Sequence, residues 1–197
     1  MTIPGVDAIT GITLLAAVGD FTRFPSADQL VSYFGLNPKV RQSGGLPAQH
    51  GRITKAGRAQ ARAVLVEAAF AAARSPGPLR AFYQRIAARR GTQIALVAVA
   101  RKLTVLSWHL VTKDQDYAFA RPSLVAYKQR KLELTAGRPT AHGNRRGPGY
   151  AYNKKDLRAQ ERAIAEQAEH AYQVLISHWQ PAPTHNGTKL PAIPGQP

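Results

Sequence analysis

The residues with the most evident chemistry run Leu36-Asn37-Pro38-Lys39-Val40-Arg41-Gln42-Ser43-Gly44-Gly45 and resume at His50-Gly51-Arg52-Ile53-Thr54-Lys55. A serine followed by two glycines in a basic loop leaves its hydroxyl open to a large substrate. Arg41, Arg52 and Lys55 flank it, and cations there can neutralise a phosphate under attack and stabilise charge in the transition state. A serine so placed could displace one oxygen of a phosphodiester and keep the bond energy as a phosphoserine. Ser-Gly-Gly is also the composition of a plain flexible turn, and the residue types alone leave both readings open. His50 is near enough in sequence to act as a base, with a phosphate contact or an ordinary loop position as alternatives.

A second candidate lies at the start of the chain. The segment IPGVDAITGITLLAAVG resembles the second half of a helix-hairpin-helix motif, in which a Pro-Gly turn opens a helix whose free N–H groups meet a phosphate. The turn is Pro4-Gly5-Val6, so Gly5 becomes a candidate phosphate contact. Asp7 stands where a second glycine is usual, and its carboxylate repels phosphate. An ordinary helix start with proline near the first turn fits equally well. His109, on an apolar helix, reads as a core or boundary residue; His142, His170, His178 and His185 show no metal-ligand spacing, and Asp7, Asp20 and Asp28 form no acidic cluster. Trp108 and Trp179 read as packing residues. Tyr150 and Tyr152, between Arg146 and Lys154, can stack on unpaired bases or simply sit in a basic linker.

The charge points the same way as the loop. The 197 residues carry 27 Lys and Arg against 11 Asp and Glu, a formal net charge of +16, and contain no cysteine. Thiolate metal sites, disulfides and cysteine nucleophiles are excluded, and a reducing cytoplasm is the expected compartment. Between Asp28 and Asp114 the only acid is Glu67, while fourteen Lys and Arg lie from Lys39 to Lys113. A solvated surface normally mixes signs, so this stretch predicts a polyanionic partner, nucleic acid before an anionic membrane. The most apolar run, Ile94 to Ala100, meets Arg101 and Lys102 well short of the ~20 residues that span a bilayer. No signal-peptide layout opens the chain.

The elements that must position these residues are mainly helical. Helices are expected at Ala8 to Val18 with Gly19 as the stop, at Ser26 to Gly35 with Ser26 and Gln29 as a capping box, and at Lys55 to Arg74 capped by Thr54. Two more are expected through Leu79, Phe82, Tyr83 and Ile86 to Gly91, and from Thr92 to Lys113. Ala61, Leu65, Ala69 and Ala72 form one predicted core face; Ile94, Val97, Leu103, Leu106 and Leu110 form another. Leu36 to Ile53, rich in Pro and Gly, predicts a loop or short irregular hairpin. Residues 1–118 thus form a compact helical domain. A helical extension follows at 119–136, a basic Gly-rich linker at 137–155, and a helix at 156–179. In that helix Leu157, Ile164, Ala168, Tyr172 and Leu175 share a stripe. The Pro-rich tail, 180–197, is expected to be disordered.

The block IPGV…LLAAVGDFTRFPSADQLVSYFGLNPKVRQSGG…HGRITKAG…ARAVLVEAAFAAAR, continued by LRAFYQRIAARRGTQIALVAVARKLTVLSWHLV, resembles the C-terminal domain of the IS110/IS116/IS902 family of insertion-sequence transposases, over roughly residues 3 to 117. The resemblance implies a helical domain whose serine attacks DNA, and that serine falls on Ser43. Gly44, Gly45, His50 with Gly51, Arg52 and Ile53, and Lys55 match the pattern around it. Arg41, Gly44, Gly45, His50, Arg52, Lys55, Arg58 and Gly5 are then the expected DNA contacts. Members of the family also carry an N-terminal ribonuclease-H-like domain whose four acidic residues hold divalent metal (Mg), and use a structured non-coding guide RNA. The chain is therefore expected to be the serine-bearing portion alone, with no cofactor of its own and incomplete without the acidic domain. A catalytically silent nucleic-acid-binding remnant of a truncated transposase is the alternative. Joining two DNA ends implies a homo-oligomer on DNA.

Overall fold

Glycine and proline punctuation divides the chain into short helices that wrap one long one. The computed structural model describes residues 1–43, 47–140, 142–143 and 146–177, apart from the side chains of His50, Leu175 and Ile176. Gly44, Gly45, His178, Trp179, His185 and the tail expected at 180–197 lie outside the described residues, as do the side chains of His50 and Leu175. The order is α1 (Ala8–Val18), a 3-10 turn (Phe21–Arg23), α2 (Ala27–Tyr33), β1 (Pro38–Arg41), β2 (Gln49–Ile53), α3 (Ala59–Arg74), α4 (Pro78–Arg90), α5 (Thr92–Thr112), α6 (Pro122–Thr135), α7 (Gly149–Tyr152) and α8 (Lys155–Ser177). The chain is mainly α, with one small two-stranded sheet.

Helices α3 and α5 form the centre, and α5 also packs on α2 and α4. The predicted face of α3 is the one buried: Ala61, Leu65, Ala69 and Ala72 are all fully enclosed. The α5 face is rotated from the predicted one. Ala95, Leu96, Val99, Ala100, Leu103 and Thr104 are buried, while Val97, Leu106 and Leu110 lie at the margin and Ile94 is 48% exposed. The alanine-lined α3 comes close, so small residues occupy the contact and the bulkier Ile94 is turned out. Thr104 resolves its buried hydroxyl by donating to the Ala100 carbonyl, 3.1 Å away. The apolar run also continues past Arg101: α5 is 21 residues long and, by length and composition alone, could cross a membrane. Here its apolar residues are the core that α2, α3 and α4 share.

Helix ends follow the glycines. Gly19, at φ +71°, ends α1 and donates to the Leu15 carbonyl. Gly91 separates α4 from α5. Ser26 stands at the start of α2 in extended conformation, but no side-chain capping bond forms, so the expected capping box is absent.

The extension and final helix close over the domain through one buried acid. Glu161 of α8 is 7% exposed. Arg121 Nε donates to it at 2.8 Å and Arg158 Nη1 at 3.3 Å, and Arg121 Nη2 and Ser123 Oγ donate as well. Burial pushes its carboxyl pKa up, but the Ser123 hydroxyl and the Arg121 and Arg158 guanidinia together hold it below the ordinary carboxylate value. Within the expected linker, Tyr152 packs edge-on to Tyr127 and lies under Arg158, which donates to its hydroxyl at 2.8 Å. Tyr152 is thus engaged within the fold.

Removing Glu161 leaves the half-buried Arg121 without its carboxylate. Glu161→Ala should weaken α8 docking by about 3–5 kcal/mol, the cost of breaking a buried ion pair. Hydrogen exchange of α8 amides against those of α5 measures this. Because the folded pKa is depressed, the wild-type contribution is present above the ordinary carboxylate range and is lost as pH falls below it. Glu161→Gln should show a shallower loss of stability on acidification.

Candidate nucleic-acid interface

The hairpin that carries Ser43 is held by a crossing of two backbone segments. Phe34 and Leu36 are almost wholly buried at the end of α2, with Gly35 between them at φ +68°. The chain leaving β2 then passes directly over them. Thr54 N–H donates to the Asn37 carbonyl (2.9 Å), Lys55 N–H to the Gly35 carbonyl (3.1 Å) and Arg58 N–H to the Tyr33 carbonyl (3.4 Å). A Cβ on Gly35 would lie 2.3 Å from the Ala56 oxygen, and one on Gly57 would lie 2.0 Å from the Tyr33 oxygen. Only glycine permits either approach. Lys55 has φ +56° and Gly57 φ +114°, so neither is helical. This is why α3 begins at Ala59 and not at Lys55. Thr54, expected to cap α3, donates its hydroxyl to Asn37 Oδ1 instead, at 2.8 Å.

From that base β1 and β2 run antiparallel, pairing Pro38 with Ile53, Val40 with His50 and Arg41 with Gln49, with an irregularity between Pro38 and Val40. Lys39, at that irregularity, and Arg41 line one recess together. Arg52 and Lys55 join them around this open recess of about 480 Å³, also lined by Gln49, Gly51, Ile53 and Thr54. No acid lines it. Lys39 is a cation that the motif reading passed over; its two-residue spacing from Arg41 was the available signal. Ser43 follows β1 toward the tip and is exposed, and no partner for its hydroxyl occurs among the described residues.

The other expected contacts lie elsewhere. Arg58 sits at the hairpin base, where its Nε donates to the Tyr33 hydroxyl at 3.0 Å and its guanidinium lies over that ring. Arg62 beside it donates to the Phe34 carbonyl at 2.9 Å. Gly5 packs against α3, where a Cβ would come within 2.2 Å of the Ala68 oxygen. The α1 N-terminus is already occupied, since Asp7 Oδ1 accepts from Thr10 N–H at 2.9 Å. The carbonyls of Met1, Ile3 and Val6 accept from Lys128 Nζ at 2.9, 3.1 and 2.8 Å. The Pro-Gly turn is thus a joint between α1, α3 and α6. Among the described residues no group of three His, Asp or Glu is placed to hold a metal ion.

Residues 1–84, which include the serine hairpin and the helices packed beneath it, match the transposase IS116/IS110/IS902 family. The chain is similar to the transposase of insertion sequence element IS1111A of Coxiella burnetii, 32% identical over 120 residues. That match covers 59% of this chain and 33% of the relative. It is similar to the 43.6 kDa protein of insertion element IS110 of Streptomyces coelicolor, 36% identical over 124 residues, 62% of this chain and 30% of the relative. It is also 30% identical over 118 residues to the pilin gene-inverting protein of Moraxella bovis, 59% of this chain and 37% of the relative. The chain therefore spans about a third of the length of these curated relatives.

The crossing predicts a graded response to alanine. Gly57→Ala combines a backbone clash with an unfavourable φ and should destabilise by more than the ~1–3 kcal/mol of strain alone. Gly19→Ala, also at positive φ but with nothing within 4 Å of the new Cβ, should cost only the strain. Urea denaturation of the two variants checks the order; equal losses would remove the crossing from the account.

Proposed function

We propose that this chain is the DNA-contacting, serine-bearing portion of an insertion-sequence transposase, with Ser43 as the nucleophile. The observation that carries the reading is the recess lined by Lys39, Arg41, Arg52 and Lys55, with no acid among its described lining residues, in the same hairpin that carries the exposed Ser43 and inside the family-matched residues. DNA is the partner that such a recess fits. Its backbone places phosphates at close, regular spacing, and each cation that meets one releases a condensed counterion.

In this reading the Ser43 oxygen attacks a DNA phosphorus. The serine proton passes to a base, the phosphorus–oxygen bond to one strand breaks, and the departing sugar oxygen takes up a proton. The product is a phosphoserine ester. Attack by the hydroxyl of another strand releases the serine and rejoins the DNA, so bond energy is conserved through both steps. Arg41, Arg52 and Lys55 offset the charge that gathers on the phosphoryl oxygens. Family resemblance implies a divalent metal, but the described residues offer no ligand set for one. In this reading an acidic domain outside the matched third supplies it, and no step here depends on it. A structured guide RNA is a second polyanion that the basic surface suits, and the cytoplasm is where both are met.

Binding to labelled duplex DNA and to structured RNA across a salt series tests the interface. The wild type should bind with a steep salt dependence. Changing Arg41, Arg52 and Lys55 together to Ala should weaken binding and flatten the log–log salt slope by about 0.9 for each lost duplex contact. An unchanged slope would leave the hairpin without a DNA role. The nucleophile is tested in a full-length relative: the Ser43→Ala equivalent should abolish strand exchange and keep DNA affinity. Retained exchange would reduce the chain to a silent binding remnant.

A further inference from the structure

Three main-chain carbonyls ahead of α1 converge on one point. The oxygens of Met1, Ile3 and Val6 lie 2.9, 3.1 and 2.8 Å from Lys128 Nζ, which donates to all three. The turn through Pro4 and Gly5 brings them together, with Gly5 at φ +86° and Val6 N–H donating to the Ile3 carbonyl at 3.2 Å. The backbone of Ala68 and Ala72 stands against Gly5, so the turn is braced from behind. Lys128 reaches this point from α6, far along the chain. An ammonium has three N–H bonds, and here each meets a carbonyl.

The donor set selects the occupant. Magnesium and calcium take oxygens at about 2.0–2.1 and 2.3–2.6 Å, with carboxylates among them to offset two charges. The three oxygens here are uncharged and stand farther off, which suits a monovalent ion of potassium size whose hydration shell carbonyls replace. Burial draws the Lys128 amine down to about 8, Asp7 draws it up and Arg121 draws it down, so the group is still a cation at neutral pH. We infer that the turn at residues 1–6 is a monovalent-cation site, and that Lys128 fills it with a tethered ammonium in place of a free ion. Tethering holds the charge at an effective concentration that a dissolved ion does not reach. The start of α1 is therefore set whatever alkali ion surrounds the protein. Lys128 acts as a positioning residue: it fixes the turn that packs on α3, and it joins α6 to the family-matched residues. The inference stands on this turn and is independent of Ser43.

Lys128→Ala removes the tethered charge and opens the site to a free ion. Thermal unfolding of the full chain in lithium, sodium, potassium and rubidium chloride, at one ionic strength, reads the result. The wild type should melt alike in all four. Lys128→Ala should melt lower in lithium, and potassium or rubidium at about ten times its dissociation constant should return about 3–6 °C. Lys131→Ala takes an exposed charge from the same helix, near Asp7, and should show no such selectivity. The wild type gives a second readout by nitrogen-15 resonance of its lysines. The ammonium protons of Lys128 should exchange with water at least about tenfold more slowly than those of Lys131. A folded Lys128→Ala that melts alike in lithium and potassium overturns the proposal. Equal exchange at the two lysines also overturns it, and that measurement decides alone if Lys128→Ala does not fold.

Discussion

Two backbone segments, residues 33–37 and 54–58, cross with almost no space between them, and the position of the candidate site depends on that crossing. A two-stranded hairpin has too little buried surface to hold its own orientation. This one is aimed by its root. Phe34 and Leu36 anchor one strand in the core, and three main-chain hydrogen bonds tie the other strand to it. Gly35 and Gly57 allow the contact because neither carries a Cβ that would meet the facing carbonyl. Lys55 adopts a left-handed backbone at this root, where it also reaches the basic recess. The unfavourable conformation is sustained by the bonds on either side of it.

The acids complete the arrangement by where they are used. Asp28 pairs with Arg101, Glu133 with Arg130 and Arg138, and Glu161 with Arg121 and Arg158. Asp7 caps α1. These carboxylates join helix to helix or close helix ends, and none lines the hairpin recess. Among the described residues, the positive charge of the recess is therefore offset by no carboxylate in its lining. Exposed cations of this kind contribute little to folding. Their physical consequence is attraction to a polyanion, which is the link between the charge pattern of the sequence and the proposed partner.

Much of this was legible because it is local. Gly19 and Gly91 stop helices by backbone conformation alone, and the Ala61, Leu65, Ala69 and Ala72 face follows from helical spacing. The hairpin was foreseen from Pro38, Gly51 and their neighbours only as one of two outcomes. What escaped needs a partner in space. Thr54 looks like a helix cap until Asn37 is placed beside it. Gly57 looks like a tolerated helix residue until the Tyr33 carbonyl stands against it. Of the α5 residues expected in the core, Leu103 is buried and Val97, Leu106 and Leu110 pack against its margin, while Ile94 is turned out, because the choice of face depends on how closely the alanines of α3 come. Ser43 itself was not singled out by spacing, since Ser-Gly-Gly suits any turn; the ordered family resemblance drew attention to it, and the structure adds that it is exposed, in a hairpin whose recess is lined by four cations.

Helix α3 connects the two surfaces that matter here. Its N-terminal end emerges from the hairpin root at Arg58, and its backbone at Ala68 and Ala72 receives the Gly5 turn from which α1 starts. The two points are ten residues apart, about 15 Å along the helix axis. Its inner face is alanine and leucine packed without exposure, so the connection is rigid rather than hinged.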